Sequence, residues 1–311
     1  MKAIVLEQFG GVEHLITKEL PTPSITPSEV LVKVGAIGIN PVDYKTRKGQ
    51  GAAARMTLPV ILGWDVCGTV VEAASTSRYR VGDAVFGLVR FPGEGRAYAE
   101  YVAVPEEHLA PKPNTLTVSE AAGMPLAALT AYQALITECG VGEGSRVFIQ
   151  GASGGVGHLA VQIAKHAGAR VIASASGRNR ECVLSLGADE FVDYTIAGAV
   201  NGVRDIDVCL DCVGGDAALV AAGSVKDGGT LVSLPKLSDS VEAAIAAKRP
   251  KVETPWFLVH ADGEGMRVLA DMVASGALRA HIEREFGFDE MGEAHEFLEH
   301  GKVRGKVVVV V

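Results

Sequence analysis

Residues 150–176 read QGASGGVGHLAVQIAKHAGARVIASAS, with Gly154, Gly155 and Gly157 crowded into a turn ahead of an apolar helical pattern. Glycines so spaced suit phosphate chemistry. Gly154 lets the backbone approach a pyrophosphate, and Gly157 lets the next helix lie close to the preceding strand. Free amides at the helix start then face the anion along the positive end of the helix dipole. The turn Ala152-Ser153-Gly154-Gly155-Val156-Gly157 departs from the G-x-G-x-x-G pattern in one place. Ala152 stands where the first glycine is usual, so the turn works only if Ala152 accepts the dihedrals required there.

The far end of this unit decides which dinucleotide it suits. An acid after the second strand would accept bonds from the adenosine ribose hydroxyls and would repel a phosphate on them. Here the strand ends Ser174-Ala-Ser176-Gly-Arg178-Asn-Arg180. The hydroxyls of Ser174 and Ser176 and the guanidinium groups of Arg178 and Arg180 can satisfy a 2′-phosphate, with charge-assisted bonds worth about 1.5–3 kcal/mol each. The expected cofactor is NADPH. The plain alternative is that both arginines are solvated residues at a helix start.

These residues need a strand, a helix and a second strand to hold them, and the pattern supplies all three. Val156, Leu159, Ala160, Ile163, Ala164 and Ala167 form one apolar stripe, predicting a helix over Val156–Ala167. Strands are predicted at 146–150, 170–175, 190–193, 207–213, 229–234 and 256–260, apolar enough for a six-stranded parallel sheet buried on both faces. A second helix is predicted over 178–186. Before residue 121 the signals are strands, turns and prolines. After 261 come two short amphipathic segments and a closing strand, GKVVVVV, which pairs most simply with the N-terminal region. The predicted class is α/β, with a discontinuous β-rich domain (1–121 and 261–311) and a dinucleotide-binding domain (122–260). A chain of 311 residues, 48% hydrophobic, is large enough for two cores. A net charge of −8 argues against nucleic acid or an anionic membrane as partner. No apolar run approaches the length of a membrane span. Five cysteines, an odd number, suit a reducing compartment, read as the cytoplasm.

With these residues in view, the chain resembles a zinc-free member of the medium-chain dehydrogenase/reductase superfamily, in the quinone oxidoreductase (zeta-crystallin-like) and alkenal/enone reductase branch. GINPVDYKTRKG at 38–49, LGWDVCGTVVE at 62–72, VGDAVFG at 81–87, AAGMPLAALTAYQAL at 121–135, SLGADEFVDY, DCVGG and GKVRGKVVV carry the resemblance over the whole length. It implies a GroES-like substrate domain beside a Rossmann domain. Zinc-dependent relatives carry Cys, Gly-His-Glu and a third ligand where this chain has Asn40, Gly63-Trp64-Asp65 and Leu126, which make no thiolate/imidazole site. Cys209 and Cys212 read as core residues of a strand, and no metal is expected.

Without metal or flavin signatures, hydride transfer from nicotinamide is the chemistry left. The acceptor is a quinone or an activated C=C conjugated to a carbonyl, and its oxygen needs a donor as charge develops. The resemblance places Asn40 near the cofactor and Asp43, Tyr44 and Lys45 near the substrate, with Lys45 as the carbonyl donor. Ordinary roles stay open: Tyr44 as a packing aromatic, Lys45 as a surface charge, Asp43 as a helix cap. The resemblance further sets Thr130 by the nicotinamide amide, Tyr194 by the adenosine phosphate, and Gly214 and Gly215 by the ribose. It frames the nicotinamide with Leu234, Pro235 and Phe257, and brings Lys306 towards the cofactor. It also implies a homodimer, closed by the strand WFLVH pairing with its own copy. Against an NADPH-dependent quinone or enone reductase stands an NADPH-binding redox sensor or partner-binding protein with little catalysis.

Overall fold

A computed structural model describes all residues, 1–311. The chain divides into two compact units, Met1–Leu129 with His260–Val311, and Thr130–Val259.

The first unit begins with β1 (Lys2–Leu6), β2 (Leu15–Glu19) and β3 (Glu29–Ile39), followed by α1 (Pro41–Arg47). Asn40 starts α1, with Pro41 in its first turn, where a missing N–H costs nothing. Next come β4 (Val60–Ile61), β5 (Asp65–Ala73), β6 (Ala84–Leu88), β7 (Tyr101–Pro105), β8 (Leu109–Pro111), α2 (Val118–Ala122) and α3 (Pro125–Tyr132). Buried alternate residues of these strands, among them Val30, Val32, Val66, Val70, Val85 and Val104, make one core.

The second unit holds β9 (Arg146–Gln150), α4 (Gly157–His166), β10 (Arg170–Ala175), α5 (Arg180–Ser185), β11 (Glu190–Asp193), β12 (Ile206–Asp211), α6 (Gly215–Ala222), β13 (Val225–Ser233) and α7 (Asp239–Lys248). Its strands form one parallel sheet in the order β11-β10-β9-β12-β13. From β9 the chain winds outward through β10 and β11, then returns to the other side of β9 with β12. The carboxyl ends of β9 and β12 therefore flank a topological switch point, where doubly wound sheets bind ligands.

The remainder returns to the first unit as α8 (Gly263–Ala274), β14 (Ile282–Gly287), α9 (Met291–His300) and β15 (Lys306–Val310). β15 lies antiparallel to β3 (Val307 opposite Ile39) and parallel to β14, closing a seven-stranded sheet. No helix is long and apolar enough to cross a membrane.

Two expectations need correction. The parallel sheet has five strands, because residues 254–260 form none. Glu253 bridges Thr230 on the outer edge of β13, but Pro255 has no N–H to continue a ladder and Trp256 lies 74% exposed. The units also part at Leu129/Thr130, later than residue 121. The first turn of α3 is tied to β5 by a bond from the Leu126 N–H to the Asp65 carboxylate.

Candidate functional site

β9 ends at Gln150, and the left-handed step that turns the chain falls on Gly151, at φ +68°. Ala152 is not in that region, so the missing first glycine costs the turn nothing. Its N–H donates to the Ser174 carbonyl at 2.9 Å, pinning the turn to β10. A Cβ on Gly157 would lie 2.2 Å from the Gly151 oxygen and 2.7 Å from the Ala152 Cα, so α4 can start this close to the strand only with glycine there. At Gly154 a Cβ would meet only the Gly151 oxygen, at 3.3 Å, leaving its other side open. The N–H groups of Gly155 and Val156 have no backbone acceptor, and the buried Gln150 Oε1 has no partner. Two unspent donors ahead of a ten-residue helix and an open glycine face fit a pyrophosphate.

The serines separate by burial. Ser174 is 2% exposed inside β10, so its hydroxyl is removed from the expected phosphate lip. Ser176, half-buried, lies just beyond the strand end, with Arg178 exposed next to it. Arg180 is exposed too, but its guanidinium lies 5.4 Å from the centroid of the Phe191 ring, resting along β11. Tyr194 is 56% exposed, which rules out a core aromatic. Asn179 donates from Nδ2 to Ser153 Oγ at 3.0 Å and to Ser176 Oγ at 3.3 Å.

On the other side of the switch point the organiser is Asp211, a residue the sequence reading passed over. Fully buried at the end of β12, it accepts the N–H groups of Val213 (2.9 Å) and Gly214 (3.0 Å) and the Ser233 hydroxyl (2.7 Å). These bonds tie the loop after β12 to that after β13. Gly214, at φ +81°, packs so tightly that a Cβ would sit 2.9 Å from the Pro235 Cβ. Leu234 and Pro235 are half-buried there, Gly215 opens α6, and Phe257 is half-buried on the irregular segment.

In the first unit the expected site residues separate into a buried group and a more open one. Asn40 is 1% exposed and spends every polar group on the protein. Its N–H donates to Asp43 Oδ2 at 2.6 Å, its Nδ2 donates to Asp65 Oδ2 at 2.8 Å, and its Oδ1 accepts from Lys306 Nζ. Lys306, 3% exposed, also donates to the Ile39 carbonyl at 3.2 Å and lies 3.8 Å from Asp65 Oδ2. Both were expected beside the cofactor; here they knit the end of β3 to β5 and β15. Asp43 is wholly buried and caps the start of α1, so it is not placed to touch substrate. Burial pushes its carboxyl up to about 7, against the pull of the Asn40 N–H, and the nearby Asp65 adds to the rise. Burial likewise raises Asp65 to about 6, opposed by Lys306, whose own value burial lowers.

Tyr44 and Lys45 stay half-buried on α1. Burial raises the Tyr44 phenol, and Glu299 adds to this. Arg47 and Lys48 share the Glu299 carboxylate, leaving Lys45 as the cation of this helix outside that pairing. Thr130 is buried on α3. Trp64 is enclosed, its indole N–H donating to the Gly93 carbonyl at 2.6 Å, and His295 is buried against the Tyr98 hydroxyl at 2.9 Å. No three His, Cys, Asp or Glu side chains converge as a metal site would need. Cys209 is buried in β12 with its thiol pushed well up by burial, as a packed apolar residue would be.

A parallel sheet with a glycine turn at its switch point, joined to a β-rich unit, is the architecture of a two-domain nucleotide-dependent dehydrogenase. Residues 26–114 match the family described as "Alcohol dehydrogenase GroES-like domain", and residues 186–309 match "Zinc-binding dehydrogenase". The chain is 35% identical to the 2-methylene-furan-3-one reductase of Solanum lycopersicum, over 99% of this chain and 79% of that one. It is 34% identical to the chloroplastic NADPH-dependent alkenal/one oxidoreductase of Arabidopsis thaliana, with the same coverage. Among solved structures, the quinone oxidoreductase of Coxiella burnetii superposes with a TM-score of 0.91 at 36% identity, over 100% of this chain and 99% of that one. The chain belongs to the medium-chain dehydrogenase/reductase superfamily, in the branch of the quinone oxidoreductases and alkenal/one reductases.

Proposed function

We propose that the protein is an NADPH-dependent oxidoreductase that delivers hydride to a quinone or an α,β-unsaturated carbonyl without a metal. The observation that carries this reading is the pairing of an open glycine turn with a lip of hydroxyl, amide and guanidinium groups at one edge of the parallel sheet. NADPH, when bound, supplies the hydride. Residues 151–157 would hold its pyrophosphate through the Gly155 and Val156 amides, while Ser176 and Arg178 would meet the 2′-phosphate. Tyr194, Gly214, Gly215, Leu234, Pro235, Thr130 and Phe257 are assigned to the rest of the coenzyme. In this reading the unit Thr130–Val259 serves the coenzyme and the unit Met1–Leu129 with His260–Val311 the substrate.

On the substrate side, Lys45 is assigned as donor to the carbonyl oxygen, with Tyr44 beside it. An ammonium held half out of water and outside any ion pair is suited to stabilising charge that builds on that oxygen. The Lys45 assignment favours enones over quinones. A homodimer through residues 256–260 is part of the reading, since Trp256 and Leu258 leave apolar surface exposed. All five cysteines are free thiols, in keeping with a reducing compartment such as the cytoplasm.

NADPH consumption at 340 nm against a panel of quinones, enals and enones tests the activity. Turnover with at least one acceptor is expected. Tight NADPH binding with no turnover across the panel would favour a sensor instead.

A further inference from the structure

We propose that Asn179 is a positioning residue that sets coenzyme choice by orienting the hydroxyl protons of Ser153 and Ser176. The proposal rests on the NADPH reading above and deepens it.

Asn179 stands immediately before α5, where an Asn side chain ordinarily caps its own helix. It makes no such cap bond. Its Nδ2 turns instead to Ser153 Oγ, in the glycine turn, and to Ser176 Oγ, beyond the end of β10. One amide thus ties the pyrophosphate turn to the adenosine lip. A hydroxyl that accepts a bond keeps its own proton to donate elsewhere. With one lone pair of each oxygen taken by Asn179, the Ser153 and Ser176 protons are directed away from the amide, towards an acceptor outside the protein. Two such donors beside the exposed Arg178 suit a phosphate ester, which only accepts. A neutral ribose hydroxyl pair gains less there, since it forms no charge-assisted bond with these donors or with Arg178.

The carboxylate that closes β11 is already engaged. Asp193 accepts from the Thr195 N–H at 2.9 Å, from the Thr195 hydroxyl at 2.6 Å and from the Gly177 N–H. These bonds, the Thr195 hydroxyl first, hold it ionised. Its lone pairs are turned towards those partners, and Asn179 provides the neutral side of the lip.

Substitution separates orientation from bulk. Asn179→Asp keeps the shape but draws both hydroxyl protons inward and adds a charge. Asn179→Ala releases both hydroxyls. Calorimetric titration of the full-length wild type and both variants with NADPH and with NADH gives the test. The Kd for NADPH is expected to rise more than about tenfold in Asn179→Asp and several-fold in Asn179→Ala, the loss of one to two directed bonds. The Kd for NADH should change by a smaller factor than that for NADPH, so the preference for NADPH falls. If the wild type binds NADPH no better than NADH, the NADPH reading itself fails. If it prefers NADPH and both variants keep its NADPH-to-NADH ratio, through unchanged binding or equal losses, the role given to Asn179 is overturned alone.

Discussion

Asp65 Oδ1 lies 2.7 Å from the backbone nitrogen of Leu126, so the first residue of β5 caps the first turn of α3 from far away in sequence. The other oxygen of the same carboxylate accepts from Asn40 and faces the Lys306 ammonium. Asp65→Ala leaves a buried ammonium without its counter-charge and a helix N–H without its cap. Breaking such a buried pair costs about 3–5 kcal/mol, and equilibrium urea denaturation should show a loss of that order. Asp65→Asn keeps one acceptor oxygen but sets an amide NH2 against a former donor and removes the charge, so it too should be destabilised.

Asp43 makes a pH prediction whose sign is fixed by its raised value of about 7. A carboxyl that holds its proton more tightly when folded contributes stability in full below its unfolded value, near 4. That contribution is lost as pH climbs through the folded value. Asp43→Asn removes this dependence while keeping an oxygen for the Asn40 N–H. The wild type should therefore lose several degrees of Tm relative to Asp43→Asn between about pH 4 and pH 8. Thermal melts across that window check it; a constant difference would contradict the raised value.

Gly154 and Gly157 should fail differently when replaced by valine. At Gly157 the new Cβ collides with the Gly151 oxygen at 2.2 Å, so both thermal stability and NADPH binding should fall. At Gly154 the nearest atom is 3.3 Å away, so the fold should survive while NADPH binding is lost. Circular dichroism melts paired with calorimetry distinguish the two, and intact binding in Gly154→Val would disprove the assigned register.

Lys45→Ala should lower turnover by about 10²-fold, the lower end of what a positioned donor contributes, and leave NADPH affinity unchanged. Unchanged kinetics would return Lys45 to a solvated surface residue.

The sheet was legible where burial writes itself into composition. Arg146–Gln150, Arg170–Ala175 and Glu190–Asp193 are apolar runs bounded by turns, and all three fold as strands with those bounds. Trp256–His260 has the same composition but pairs with no strand of the sheet, and apolarity alone cannot distinguish the two outcomes. Ser174 and Ser176 look alike in sequence, yet one lies within β10 and the other just past its end, and only burial separates them. The role of Gly151 could have been found from its place directly after the strand. The cluster of Asn40, Asp65 and Lys306 could not, because its members come from distant parts of the chain and each carries an ordinary polar side chain. Asp211 gave one usable signal: an acid closing an apolar strand ahead of two glycines.

Arg178→Glu should place a repelling charge at the coenzyme lip and raise the NADPH Kd about 100-fold, if about 3 kcal/mol is lost. NADH binding should be little affected.

The most direct test is a calorimetric titration of the wild-type protein with NADPH and with NADH under the same salt and pH. NADPH should bind more than about tenfold more tightly, since the 2′-phosphate adds at least one charge-assisted bond to Ser176 and Arg178. Equal affinities, or no binding of either coenzyme, would contradict the account.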